Sequence, residues 1–435
     1  MNSLDLLRRQ LLGGLTLGGA SLLTAPAYAV DAATAAPSDR KLVVVMLRGA
    51  IDGLSVVVPH GDAEYRRNRP DLAIAAPGQT DGALALDSLF GLHPALASLE
   101  PWWRSGHLGF VQASGSTDST RSHFDAQDHL ETATPGRRST PDGWLNRTLS
   151  AIQQAPDQSQ QPTRGVNLGP TMPRILSGAA QVAAMPLGGA DRRAPTDSAG
   201  RSGVLDSLHQ ADSATGMAWQ AMRETRQAMA ESASGSGAAS TMSAAAGRMD
   251  AAGMDAGIAP GAVPLSGLAQ DAARLGRLMR REASVRVGFL SVGGWDTHTQ
   301  QGAASGQLAN RMRVLAGGLD ALAKGLDDRF ADTVILVMSE FGRTVRQNGT
   351  RGTDHGHGNV MWLLGGPVRG AKVHGQWPGL EGSALHEGRD LAITTDFRQV
   401  IASVLTRHLR LDDRALAQVL PDGAGQAARL DLLKG

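Results

Sequence analysis

The sequence has 435 residues, a formal charge of +1 and 42% hydrophobic residues, the profile of a folded chain longer than one minimal core requires. The near-neutral balance argues against a nucleic-acid binder, which shows a basic excess, and the 4% aromatic content argues against a base-stacking platform. Cysteine is absent, which excludes disulfides, thiolate ligands and a thiol nucleophile and leaves Asp, Glu and His to hold any metal.

In chain order, residues 1–29 read first as an export signal. Arg8 and Arg9 precede the apolar run LLGGLTLGGASLL, and Ala27 and Ala29 supply small residues for cleavage. The arginine pair points to the twin-arginine translocase, which carries folded proteins. The run is short and glycine-rich, and no later stretch is long and apolar enough for a permanent membrane span. The mature protein is therefore expected to be periplasmic or secreted, with a polar leader over 30–40 and a folded domain over 41–435.

Five apolar, β-branched runs predict buried strands: 41–49, 107–113, 285–294, 332–340 and 359–366. The 308–328 stretch carries apolar residues at i, i+3, i+4 and i+7 and predicts a helix. Strands alternating with helices give an α/β fold, a mostly parallel central sheet sandwiched by helices. From about 184 to 265 the chain is rich in Ala, Ser, Gly and Met. It reads as a helical insertion around the low-complexity segment 232–247, flanked by helical stretches at 217–230 and 268–283.

In such sheets the site lies beyond the carboxyl ends of the strands. Arg48 and Asp52 follow the first strand. The second is followed by SGSTDSTRSHFDAQDHLE, where Thr120 or Ser122 sits near the start of a helix beside Arg121 and His123. GGWDTHTQ places Asp296 and His298 after the third, and SEFGRT places Glu340 and Arg343 after the fourth. GTDHGHGNVM brings Asp354, His355 and His357 before the fifth. Singly, each has an ordinary explanation: Asp52 as a turn or cap, Thr120 or Ser122 as an N-cap, His298 as a core histidine, Glu340 with Arg343 as an ion pair. Together they predict one cleft holding a cation. Mixed Asp/His ligation suits one or two of Zn, Mn or Fe. The glycines around His355 and His357 are expected to let the backbone turn both rings to one point. Arg48, Arg121 or Arg343 would clamp a phosphoryl or sulfuryl group.

The segments LVVVMLRGAIDGLSVVVPHGD, RSHFDAQDHLET, GGWDTHTQQ, MSEFGRTVRQNGTRGTDHGHGNVMWLLGG and TTDFRQV together resemble the exported bacterial family known as domain of unknown function 1501. The resemblance runs from about residue 40 to 410, apart from the insertion. It implies an alkaline phosphatase/sulfatase-like fold, with Asp52, Asp354 and His355 around one metal, Asp296 and His298 on another, and Thr120 or Ser122 as nucleophile. Three departures stand out. TDHGHG lies on a loop some fourteen residues after its strand, so Glu340 could be the strand-end ligand. Asp296 and His298 are two residues apart rather than four. The last histidine of the second metal has no clear match, with His374 and His386 as candidates. Ser119 competes for the nucleophile role.

The resulting expectation is a periplasmic metal-dependent hydrolase or transferase acting on a small-molecule or envelope-derived phosphate or sulfate ester. The alternative is a non-catalytic exported metal-binding protein of the same fold that binds a partner or envelope component. A redox protein is disfavoured, since no flavin, haem or iron–sulfur signature is present.

Overall fold

The computed structural model describes residues 39–138, 140–154, 164–188, 262–421 and 430–434. The export signal and nearly all of the insertion expected at 184–265, including the helical stretch at 217–230, lie outside the described residues.

Twelve strands occur among the described residues: β1 (Lys41–Leu47), β2 (Val57–Val58), β3 (Leu84–Ala85), β4 (Gly91–Leu92), β5 (Leu108–Gly115), β6 (Arg164–Leu168), β7 (Val182–Met185), β8 (Val285–Val292), β9 (Thr333–Ser339), β10 (Asn359–Gly365), β11 (Lys372–His374) and β12 (Thr395–Asp396). Nine form the central sheet, in the order β11-β5-β10-β9-β1-β8-β6-β7 with β12 also on β5; β2, β4 and β3 make a small second sheet. β1 runs parallel to β8 and β9, β6 is parallel to β7 and β8, and β11 and β12 are parallel to β5. Only β10 reverses, pairing antiparallel with both β5 and β9. The expected α/β architecture is present, and β6 and β7 extend it beyond the five anticipated strands.

The continuous apolar runs become strands covered on both faces, and every residue of β1, β8, β9 and β10 is buried. Side chains of a strand alternate between faces, so β1 divides its residues between two cores. Val43, Val45 and Leu47 join Leu275 and Leu278 of the helix Leu268–Arg281 and Leu315 and Leu322 of the helix Gln307–Leu326. Leu42, Val44 and Met46 join Leu145 and Leu149 of the helix Trp144–Gln153 and Val400 and Ile401 of the helix Phe397–Ser403. No helix among the described residues is long and apolar enough to cross a membrane.

The single reversed strand places the site. The carboxyl ends of β1, β5, β8 and β9 share one rim. Because β10 is antiparallel, its amino end lies on that rim too. The loop preceding β10 therefore reaches the same edge as the loops that follow the other strands.

Candidate metal centre

Four segments meet on this rim. The helix His123–Thr132 begins just after Ser122, whose side chain caps it by accepting the Asp125 N–H. His123 is thus fixed in the first turn, with its ring stacked on Phe341 at 4.9 Å. After β8, burial alternates along Trp295, Asp296, Thr297 and His298. Trp295 and Thr297 are buried while Asp296 and His298 face out. Trp295 anchors the segment by donating its Nε1–H to Val292 O at 2.8 Å. Extended backbone puts residues i and i+2 on one face, which is why a two-residue spacing serves here.

The loop before β10 pairs antiparallel with the segment after β9. Gly342 N–H donates to His357 O, Gly356 N–H to Gly342 O and Thr344 N–H to Asp354 O, each at 2.8–2.9 Å. Glycine is required at 356 for proximity rather than for freedom: a Cβ there would lie 2.4 Å from the Arg343 carbonyl carbon. At 352 it would lie 2.1 Å from His298 O. This corrects the expectation that these glycines serve to swing the imidazoles.

Three imidazoles converge on one carboxylate. His123 Nε2 and His298 Nε2 each lie 3.1 Å from His355 Nε2. Asp296 Oδ1 is 2.9 Å from His298 Nε2 and 3.3 Å from His355 Nε2, and Asp296 Oδ2 is 3.5 Å from His123 Nε2. Among the described residues, His123, Asp296 and His355 each offer one donor atom within 4.8 Å of the others, a set able to hold a metal ion, with His298 beside Asp296 and His355 at its edge.

Behind each ring stands an acceptor for Nδ1–H: Glu340 Oε1 for His123 at 2.8 Å, Asp354 Oδ1 for His298 at 3.0 Å, and the Arg121 carbonyl for His355 at 2.8 Å. Acceptors in all three places put the protons on Nδ1 and turn the Nε2 lone pairs inward, the arrangement in which histidine binds a metal through Nε2. The donor set therefore fits a cation: three lone pairs and a carboxylate face one another at distances that repel unless positive charge lies between them.

The titration of the groups agrees. Burial alone would raise the Asp296 carboxyl, but the His123 and His355 rings against it and the Arg343 guanidinium outweigh that and hold it well below the usual carboxylate range. Burial lowers His123, yet its bonds to Asp296 and Glu340 win and push it up to about 9. Buried Glu340 is likewise held low, its desolvation overcome by His123, Gln127 and the Gly49 N–H. Without a cation, a proton on His123 is what balances this charge.

Of the anticipated residues, Asp296, His298 and His355 meet here. Asp354 and Glu340 hold the outer Nδ1 edges of His298 and His123 and do not face the cluster as ligands. His123 joins the cluster although the sequence marks it only by its place, the first helical residue beyond a strand end.

Other expectations are corrected. Asp52 is fully buried, and both its oxygens are taken by Arg69, with Nη1 at 2.5 Å from Oδ2 and Nη2 at 3.0 Å from Oδ1, with Ser55 and Gln301 also donating to Oδ2. A guanidinium occupies the place expected for a metal. His357 lies buried against His386, ring centroids 4.2 Å apart, and burial, then His386, lowers it to about 4. His374 bonds to Arg369 O. Arg343 is buried and saturated by the carbonyls of Gly49, Ala50, Trp295 and Thr353 and by Asp296, so it cannot reach out to a substrate. Arg48 is bound to Glu131 and Gln127 behind the His123 helix. Arg121 stays at the rim, 31% exposed and paired with Glu387 and Asp390. Thr120 Oγ1 accepts the Ser122 N–H, and no hydrogen bond among the described residues joins Thr120 or Ser122 to the cluster through its hydroxyl.

A family model described as protein of unknown function (DUF1501) matches residues 111–421. No curated protein matches the chain. Among solved structures, the crystal structure of Ps i-CgsB in complex with k-i-k-neocarrahexaose aligns over 86% of this chain and 74% of that one, at 9% identity and a TM-score of 0.32. The crystal structure of Ps i-CgsB alone aligns over 86% and 73%, at 10% identity and a TM-score of 0.32.

Proposed function

Since the chain belongs to the DUF1501 family of proteins of unknown function, we propose its activity from the site: a metal-dependent hydrolase, or transferase, of phosphate or sulfate esters, exported through the twin-arginine pathway to the periplasm or beyond. The observation that carries the metal is the convergence of three Nε2 atoms on Asp296, with every Nδ1 already engaged. The ester class is supported by the resemblance of the rim motifs to the alkaline phosphatase and sulfatase superfamily.

His123, His298, His355 and Asp296 would hold one divalent cation, with Zn, Mn or Fe suited to this donor set. Bound there, it supplies Lewis acidity toward an ester oxygen and toward water. The chain's own groups do the rest. Glu340, Asp354 and the Arg121 carbonyl fix the rings, and Arg343 offsets the charge of Asp296. Arg121 would meet the anionic oxygens of the ester, exchanging its exposed partner Glu387 for them. Hydrolysis delivers the water oxygen to phosphorus or sulfur and a proton to the departing alcohol. In a transferase, Thr120 or Ser122 would accept the group first.

One observation favours the non-catalytic reading: with His298 beside Asp296 and His355, the protein itself would supply four donors, as structural sites do. The side chains of Asp296 and His298 are more than 40% exposed, which favours an open, reactive one. Elemental analysis of the exported protein, followed by assay on an aryl phosphate and an aryl sulfate, decides. Bound metal with turnover lost in His355→Ala supports the hydrolase, bound metal without turnover on either ester supports the alternative, and absence of metal removes both.

A further inference from the structure

Beneath the rim lies a polar cluster that the proposed chemistry does not use. Gln301 is fully buried between two of the ligand-bearing loops. Its Oε1 accepts two hydroxyls, Thr297 Oγ1 at 2.8 Å and Thr353 Oγ1 at 2.8 Å. Its Nε2 donates to Asp52 Oδ2 at 2.7 Å. Thr297 sits between Asp296 and His298, and Thr353 immediately precedes Asp354 and His355. Both threonines are buried.

We infer that Gln301 is a positioning residue that locks the Asp296/His298 loop to the Asp354/His355 loop and so sets the geometry of the metal donors. The inference rests on reading His123, Asp296, His298 and His355 as ligands. The orientation of the amide is forced. Asp52, ionised by its pairing with Arg69, can only accept, so it takes the NH₂ side and leaves the carbonyl for the threonines. The hydroxyls must then both donate to one oxygen, which draws the two loops together. The backbone bond from Thr353 N–H to Thr297 O at 3.2 Å spans the same gap. Asp52 thus acts at the site after all, two bonds removed, as the anchor of the amide rather than as a ligand. Outer groups that orient ligands typically change metal affinity by about 10–100-fold when removed.

The test is cobalt binding by the full chain, stripped of metal and reloaded, with affinity read by competition against a chromophoric chelator and geometry by the visible spectrum. Thr353→Val and Gln301→Met are expected to weaken binding at least about tenfold and to shift the spectrum, while Thr353→Ser restores both. Thr148→Val is the control. It removes a buried hydroxyl that donates to Trp144 O at 2.9 Å within the helix Trp144–Gln153, away from Gln301 and both ligand loops, so its affinity should match wild type. Should Thr353→Val fail to fold, Thr297→Val carries the same reading from the opposite loop. Wild type that binds cobalt, with Val and Met variants of unchanged affinity and spectrum, overturns the positioning role alone. Wild type that takes up no cobalt overturns the ligand reading and this inference with it.

Discussion

His123 Nε2 and His355 Nε2 lie 3.1 Å apart, although each ring already gives its Nδ1–H to a fixed acceptor, Glu340 for one and the Arg121 carbonyl for the other. Two imidazoles so held cannot both be neutral in comfort: with Nδ1 protonated, their lone pairs oppose each other. The pair is at rest when a proton or a cation lies between them and Asp296. The folded chain maintains this arrangement through groups that never touch the cation.

One divalent cation per chain is the expected stoichiometry. The metal position expected beside Asp52 is filled by Arg69, whose guanidinium spans both oxygens of that carboxylate. Stripped protein titrated with zinc should take up one tight equivalent, measured by calorimetry, and each of Asp296→Ala and His355→Ala should abolish it. Metal at a hundred times its Kd should raise unfolding free energy by about 2.7 kcal/mol. Two tight equivalents would contradict the assignment.

Arg69 should prove a stability residue. Arg69→Met leaves a fully buried carboxylate without its counter-charge and is expected to cost about 3–5 kcal/mol in urea unfolding. Asp52→Leu in the same chain should recover only part of that loss, because it removes the unpaired charge but leaves the Gln301 amide and the Thr344 and Val345 carbonyls without their partners. A single Arg69→Met variant as stable as the parent would show the pair to be idle.

The layered fold was legible in the sequence because apolar runs and helical periodicity report burial directly. The run at 41–49 became β1, that at 359–366 became β10, and the 308–328 pattern became the helix Gln307–Leu326. Strand direction leaves no such mark, so the reversal of β10, which explains a ligand loop ahead of its strand, appears only in three dimensions. The site was half legible for the same reason. Asp296, His298 and His355 announced themselves by type and place. Asp52 did so equally, but its partner Arg69 sits seventeen residues on in an unrelated turn, and charge type alone cannot tell a ligand from half of an ion pair. His123 is hard to single out from sequence because the hydroxyls around it at the helix start point to a nucleophile rather than a ligand.

Gly356→Ala should damage the site from behind. The added methyl would press on the Arg343 backbone at 2.4–2.5 Å, where two loops are hydrogen-bonded and neither is a flexible side chain. The loop must retreat, and His355 moves with it. Metal affinity should fall at least tenfold, in line with the outer-group range of about 10–100-fold, and the unfolding midpoint should drop with it. An Ala variant with parental affinity and midpoint would mean the backbone yields there freely.

Acid should destabilise the fold away from the site, through His408. The ring is buried and donates Nε2–H to Lys41 O at 2.9 Å. Burial, with Arg40 and Arg286 nearby, lowers it to about 4, against an unfolded value of about 6.5. Between those values the unfolded chain binds the proton and the folded chain does not, so stability rises with pH through the window and is fully present above it. His93, buried against Ala303 O and likewise lowered to about 4, adds a second contribution of the same sign. Each should cost about 2 kcal/mol on going from pH 7 to pH 5. His408→Gln, which can keep the bond to Lys41 O but does not titrate, should lose about 2 kcal/mol less than wild type over that interval in urea unfolding. An unchanged pH slope would place the acid sensitivity elsewhere.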